Sequence, residues 1–487
     1  MVTLAGCSRA PERGVERLAI LPFENLTGDS TLDWVASAAP AMVTAELSGN
    51  PKLTAIRAGS VNDGYLGSAD RLVHGFFVKR GAALQIDVQV EDAARHKTVT
   101  RAEADGDLIQ AVDAISKRLD SSAHVFSTSS GAAVSAWGQQ KYEQAVGIDP
   151  DFGAAWLSWA ESLTQRGQTA EAIEVAERAL ARAGLRSEAD RARIELLQAA
   201  LRKDDVAREK ALGALVKIEP SDTSLLAMAA ETSMNLRDFP AAAGYFKSIL
   251  RVDPAASGVL NSLGYAEGYA GDLDAAKSAF EAYGRQEGQK TNSLDSLGEA
   301  YFIRGRFAEA EKYFLQAQQS DPAFAAGAEL LKAAYARWLG DMKARDLKAA
   351  DALMGRYLDE RKRSHDPLVA WREAVWDFVT GRRDLAMAKL AEVQPQLADR
   401  QRAVWTARIS GELSTLKEKY ERTAPSSDGE ARVFYAAALL AEGQKDAARK
   451  LLELWPLPVE TGGDSMVESL VFPKFIELRR ALGMSVP

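Results

Sequence analysis

The clearest order in this chain is a spacing of small and apolar residues. In residues 293–322, SLDSLGEAYFIRGRFAEAEKYFLQAQQSDP, Leu294, Leu297, Gly298 and Tyr301 fall at i, i+3, i+4 and i+7. That spacing puts them on one helical face. Gly305 follows inside Arg-Gly-Arg, where glycine adopts a left-handed backbone without a Cβ penalty. Ala310, Phe314 and Ala317 then mark a second helix, which Pro322 stops. Gly298 and Ala310 have almost no side chain, so the two helices can approach closely. Phe314 fills the space beside them. The same pattern recurs: Ala230, Gly264 and Gly298 are 34 residues apart, as are Ala242, Ala276 and Ala310, and Phe246, Phe280 and Phe314. Gly271 and Gly305 repeat the turn at the same interval.

The pattern extends in both directions. Upstream, Tyr142, Ala145 and Pro150 end one unit, and Trp156, Ala160, Leu163, Gly167, Ala172 and Ala179 form the next. Leu212, Leu215 and Pro220 mark a degenerate one. Downstream, turns are expected at Gly340, Gly381 and Gly443, at intervals that depart from the period. A stack of about eight to ten helical pairs is expected. SLVFPKFIELRRALG, at 469–483, reads as its terminal cap.

The first 120 residues follow a different rhythm. ERLAILPF is a short apolar run, the mark of a strand buried on both faces. A helix is expected from Leu32 to Leu47, kinked or divided at Pro40, and KLTAIR reads as a second strand. RLVHGFFVK and ALQIDVQVE are split by Arg80-Gly81, and Leu84, Ile86, Val88 and Val90 alternate as in a half-buried strand. KTVTRAEA completes a meander, and DLIQAVDAISKRL closes the segment as a helix capped by Asp107. Residues 121–133, rich in Ser, Ala and Gly, read as a linker.

Composition narrows the functions. A hydrophobic share of 47% with 26% charged residues suits a globular core with a charged surface. The net charge of −8 argues against general nucleic-acid binding, which needs a basic face. No apolar run approaches the roughly 20 residues that span a bilayer. Cys7 stands alone, so no intrachain disulfide can form. His74, His96, His124 and His365 are scattered without ligand spacing, so no metal is expected. The chain has no phosphate-binding G-x-x-x-x-G-K-[ST], no H-E-x-x-H, no G-x-S-x-G and no CxxC. Neither a catalytic residue nor a cofactor is expected. An enzyme with an unrecognised site is a remote alternative.

Three resemblances give these patterns a direction. The 34-residue repeat resembles the tetratricopeptide repeat (TPR). LAILPFENLTGD, KLTAIR and the strands that follow resemble the TolB amino-terminal-like domain, an interaction or sensory module found fused to repeat arrays. Leu4-Ala5-Gly6-Cys7 resembles a bacterial lipobox, which implies lipidation at Cys7, although a basic region and most of an apolar region are missing before it.

The expected fold is α+β overall: a small N-terminal α/β domain followed by an all-α TPR right-handed superhelix. Residues 1–14 read as a truncated lipoprotein signal and tether, 15–120 as the TolB-like domain, 121–133 as linker and 134–487 as the array with its cap. The TPR resemblance implies that the first helix of each pair lines a concave groove. That lining would comprise Glu161, Glu231, Asn261, Tyr265, Asn292, Asp295, Glu299 and Phe302, and would bind a protein or peptide of apolar and basic character. The expected setting is the bacterial envelope, periplasm-facing and lipid-anchored, with membrane attachment through Cys7 and no nucleic-acid partner. The alternative is a cytoplasmic module of a signalling protein associated with a kinase, cyclase or transcription regulator.

Overall fold

The structure, a computed structural model, describes residues 14–81, 83–340, 347–393, 429–453 and 471–484. Cys7 and the lipobox-like residues lie outside them. The chain forms two compact units, one ending at Ser257 and the other beginning at Gly258.

The first unit opens with β1 (Glu16–Ile20), β2 (Glu24–Asn25), α1 (Val35–Glu46), β3 (Leu53–Arg57), α2 (Val61–Leu66), β4 (Arg71–Arg80), β5 (Ala83–Asp92), β6 (Lys97–Gly106) and α3 (Leu108–Leu119). The sheet order is β3-β1-β4-β5-β6, with β2 also paired to β4. β1 runs parallel to both β3 and β4, whereas β4, β5 and β6 form an antiparallel meander. The hairpin between β4 and β5 turns at Gly81, whose φ is +63°. Asp107 caps α3 in a reciprocal box with Gln110.

Two details depart from the sequence expectation. α1 passes through Pro40 unbroken. A proline there frees the carbonyl of Ala36, and the Phe23 N–H takes it up at 2.9 Å. α2 is a single short element that periodicity does not signal; Ser60 caps it by accepting from the Asp63 N–H.

Eight helices complete this unit: α4 (Gly131–Gly138), α5 (Tyr142–Ile148), α6 (Gly153–Gln165), α7 (Thr169–Leu180), α8 (Glu188–Arg202), α9 (Asp205–Ile218), α10 (Thr223–Leu236) and α11 (Phe239–Val252). The segment before α4 is packed rather than slack. Phe126 is buried, edge-on to Phe152 at 5.6 Å. Thr128 donates to Asp149 at 2.5 Å, and Ser130 caps α4. Sheet and helices share one core, which joins Ile20, Val73, Phe77 and Val88 to Met42, Ile115, Phe152 and Ile194. The sheet edge also bonds to the later helices. Thr54 donates to the Ser221 carbonyl at 2.9 Å, Ser221 donates to the Pro51 carbonyl at 2.7 Å, and Arg17 pairs with Asp253 at 3.4 Å.

Glu46 lies inside this unit with both carboxyl oxygens unpartnered. Burial, reinforced by Asp113, pushes its pKa up to about 9. Glu46 therefore stays neutral near pH 7.

The second unit holds α12 (Val259–Ala270), α13 (Leu273–Gly284), α14 (Lys290–Ile303), α15 (Phe307–Ser320), α16 (Ala328–Gly340), α17 (Lys348–Arg363), α18 (Val369–Val379), α19 (Arg383–Glu392), α20 (Gly429–Ala441), α21 (Lys445–Glu453) and α22 (Val471–Ala481). Counting both units, the described residues form nine helical pairs and a terminal helix. The turns at Gly271, Gly305, Gly381 and Gly443 all take positive φ, from +72° to +102°. Phe475 of α22 is fully buried beneath Arg479. A Cβ on Gly298 would sit 2.4 Å from the Phe314 ring, and one on Gly264 would sit 2.6 Å from Phe280. The small-residue positions are thus the helix contacts themselves.

A leucine at Gly298 must push Phe314 or a helix aside. Gly298→Leu should therefore destabilise the second unit by about 1–3 kcal/mol. Thermal unfolding measures it, and an unchanged melting point contradicts this helix contact.

Candidate functional site

Six of the eight expected groove residues stand on α12 and α14, first helices of successive pairs. The structure brings four of them together. The Tyr265 hydroxyl on α12 donates to Glu299 Oε2 on α14 at 2.6 Å and lies 3.1 Å from Ser296 Oγ. Ser296 donates in turn to Asn261 Oδ1 at 3.1 Å. Asp295 stands one helical turn from Glu299, on the same face.

The residue that organises them is Lys332, on α16. Its ammonium donates to Asp295 Oδ1 at 2.5 Å and to Glu299 Oε1 at 2.8 Å. Glu329, one turn earlier on α16, approaches it at 3.5 Å. The side chains of Lys332 and Glu329 are 1% and 0% exposed, so water cannot screen this cluster. The ammonium also sits 5.6 Å from the centre of the Phe314 ring.

Here the structure corrects the sequence reading. Asp295 and Glu299 are buried ion-pair partners, not charges presented in an open groove. Phe302 is fully buried against Phe307 and Phe314 and belongs to the core. Asn292 is half-buried and donates to the Tyr283 hydroxyl at 3.0 Å. Glu161 on α6 and Glu231 on α10 are exposed, in the first unit. Lys332 and Glu329 were readable in principle, because they stand one period beyond Gly298 and Asp295. A lysine in the series that holds glycine twice, at positions packed against a neighbouring helix, signals a buried cation.

The electrostatics follow from burial. Loss of water opposes the charge on Lys332, but Glu299, Asp295 and Glu329 outweigh it and hold the amine protonated above its usual range. Such a lysine is a structural cation and a poor nucleophile. Three buried carboxylates exceed what one ammonium can balance. Burial raises Glu329 to about 8 against the Lys332 attraction, and the Asp295 charge adds to the rise. Burial and the Glu299 charge likewise raise Asp295. Neither Glu329 oxygen accepts a hydrogen bond from a neighbouring N–H or O–H group. A neutral Glu329 resolves this by donating its own proton towards Asp295. Burial, then Glu299, lift the Tyr265 hydroxyl well above the ordinary tyrosine value, so it remains a donor.

Residues 291–324, which hold α14 and α15, match the family model of the tetratricopeptide repeat. With the recurring spacing, this supports an array of such repeats. No curated protein matches the chain. Among solved structures, YrrB, described as a TPR protein with an unusual peptide-binding site, is 15% identical, covering 40% of this chain and 97% of its own, with a TM-score of 0.32. Yeast Tom70 is 14% identical, covering 72% of this chain and 88% of its own, with a TM-score of 0.33. The C-terminal part of a TPR repeat-containing protein from Cytophaga hutchinsonii is 15% identical, covering 49% and 93%, with a TM-score of 0.33.

The cluster makes the second unit sensitive to pH. Folding raises Glu329 from 4.5 to about 8. The stability this confers is full below about pH 4.5 and is lost as pH rises through about 8. Glu329→Gln, neutral throughout, should flatten the alkaline fall in melting temperature. Lys332→Met strands Asp295 and Glu299 and should cost about 3–5 kcal/mol. Thermal melts across the pH range measure both, and parallel profiles for wild type and Glu329→Gln contradict the assignment.

Proposed function

We propose that this protein is a non-catalytic scaffold that holds segments of partner proteins on the first helices of its TPR array, at a bacterial envelope to which lipid on Cys7 attaches it. One observation carries the reading: residues 291–324 match a tetratricopeptide repeat, and the same hairpin geometry recurs through nine described pairs. Stacked pairs bury their apolar faces in one another and leave an extended surface of first helices. Each unit offers its own first-helix groups: the exposed Glu161 and Glu231 in the first, and the half-buried Asn261, Tyr265 and Asn292 in the second. With Asp295 and Glu299 already buried as partners of Lys332, the acids left to meet a partner are Glu161 and Glu231. They favour a basic or apolar segment.

The sheet with α1 to α3 we read as a TolB amino-terminal-like interaction module. Its order of strands and helices follows the residues that carry that resemblance. Sharing a core with α4 to α8, it acts as part of the scaffold rather than as a detached sensor. A single acyl chain holds a membrane marginally, so the anchor requires complete lipoprotein processing.

Affinity purification from native membranes tests both parts. Glu161→Lys with Glu231→Lys should lose proteins that copurify with wild type; retention of all of them refutes the groove. Mass spectrometry of the mature N-terminus should find diacylglycerol on Cys7, and an unmodified thiol refutes the anchor while leaving the scaffold standing.

A further inference from the structure

α6 carries a second surface around Trp156 and Trp159. Trp159 and Glu161 are two residues apart, about 200° around the helix. On the tryptophan side, the rings of Trp156 and Trp159 stack with centroids 5.7 Å apart and planes 22° apart. The Arg178 guanidinium, from α7, lies 5.3 Å from both ring centres. Trp156 is fixed from behind by donating to the Pro150 carbonyl at 2.9 Å.

Two open clefts adjoin this stack. One, of about 710 Å³, is walled by Glu143, Val146, Pro150, Trp156, Arg178 and Arg182. The other, of about 350 Å³, shares Glu143 and adds Lys141, Tyr142, Trp159 and Arg166. Their charge runs against that of the whole chain, which is −8. Four cations face one acid across the two clefts. Arg182 is paired with Asp151 at 3.3 Å. Lys141, Arg166 and Arg178 are exposed, and no carboxylate pairs with them among the described residues. Elsewhere on this unit's helices, Arg193 and Arg202 hold Glu219 and Glu177.

We propose that the two clefts flanking the Trp156–Trp159–Arg178 stack form a docking surface for an acidic peptide segment of a partner protein. A guanidinium laid on indole rings keeps its N–H edges free for carboxylates, and stacking removes much of the entropy cost of holding it there. Arg178 is the anchor, Lys141 and Arg166 extend the positive track, and the indoles take apolar side chains between the acids. A nucleic acid fits less well: three unpaired cations beside two short clefts fall far below the continuous basic face that a phosphate backbone requires.

Fluorescence anisotropy on the full chain tests this with a dye-labelled peptide of alternating glutamate and alanine, its lysine–alanine counterpart and poly(U). Unspecific attraction to a net-negative chain favours the lysine peptide. The proposal expects the glutamate peptide to bind most tightly, to alter tryptophan emission and to weaken with salt. Arg166→Glu with Arg178→Glu should weaken it at least about tenfold, while Asp105→Lys, on an exposed position of β6, leaves it unchanged. Arg178→Gln, which removes the charge from an exposed position, should weaken it in the same direction and serves if the double variant melts early. Equal or tighter binding of the lysine peptide, preference for poly(U), loss of binding in Asp105→Lys, or undiminished affinity in the arginine variants each overturns the proposal.

Discussion

The close contact of paired helices at Gly264 and Gly298 sets the geometry of the second unit. A single added carbon at either position would lie 2.4–2.6 Å from an aromatic ring. The rings of Phe280 and Phe314 therefore rest directly on the backbone of the partner helix, and Ala276 and Ala310, fully buried, let the helices stay that close. The contact also fixes what can happen one period later. Where the next small residue is due, the chain carries Lys332, and where the next phenylalanine is due it carries Lys348. The Gly–Phe contact cannot form there. Instead the long stem of Lys332 crosses the Phe314 ring to reach Asp295 and Glu299. The apolar contact inside two pairs has no counterpart inside the third; an ionic contact instead ties α16 to α14 of the pair before.

The parts of the fold legible in sequence were those set by local sterics. Period, turn glycines, capping Asp107 and the alternation in β5 each act through neighbours within one or two turns, so they survive without knowledge of the whole. Depth is different. A helical face can be read as polar from spacing, but whether that face meets water or another helix depends on residues far along the chain. Asp295 and Glu299 illustrate this: acidic residues on a first helix look like groove lining until the cation one period on is placed against them. Phe302 failed for a related reason. α14 has neighbours on nearly every side, so its residues are buried almost all round and face alone does not separate groove from core.

Composition misled in one further place. Serine and glycine between α3 and α4 suggest slack, yet Thr128 and Ser130 use their hydroxyls to fix a turn and cap a helix, and Phe126 inserts among aromatic rings. Small polar residues lower the cost of a flexible chain and also satisfy backbone groups in a tight one. What separates the two cases is one large apolar residue that finds a pocket. The compact unit accordingly continues past this segment to Ser257. Pro40 teaches the same lesson from the other direction. The proline opens a carbonyl in α1, and the Phe23 N–H closes it, so a residue expected to break a helix instead ties it to the strand before it.

The two surfaces proposed around α6 constrain how such a scaffold could choose partners. The proposed groove takes a basic segment through Glu161; the proposed clefts, with Lys141, Arg166 and Arg178, take an acidic one. Because the two requirements differ in sign, no single charged segment satisfies both, and each face rejects what the other accepts. Discrimination then comes from repulsion as much as from contact, and it operates without any movement of the helix. The stacked indoles hold Arg178 in place before a ligand arrives, so the acid-seeking face is set by packing inside the pair.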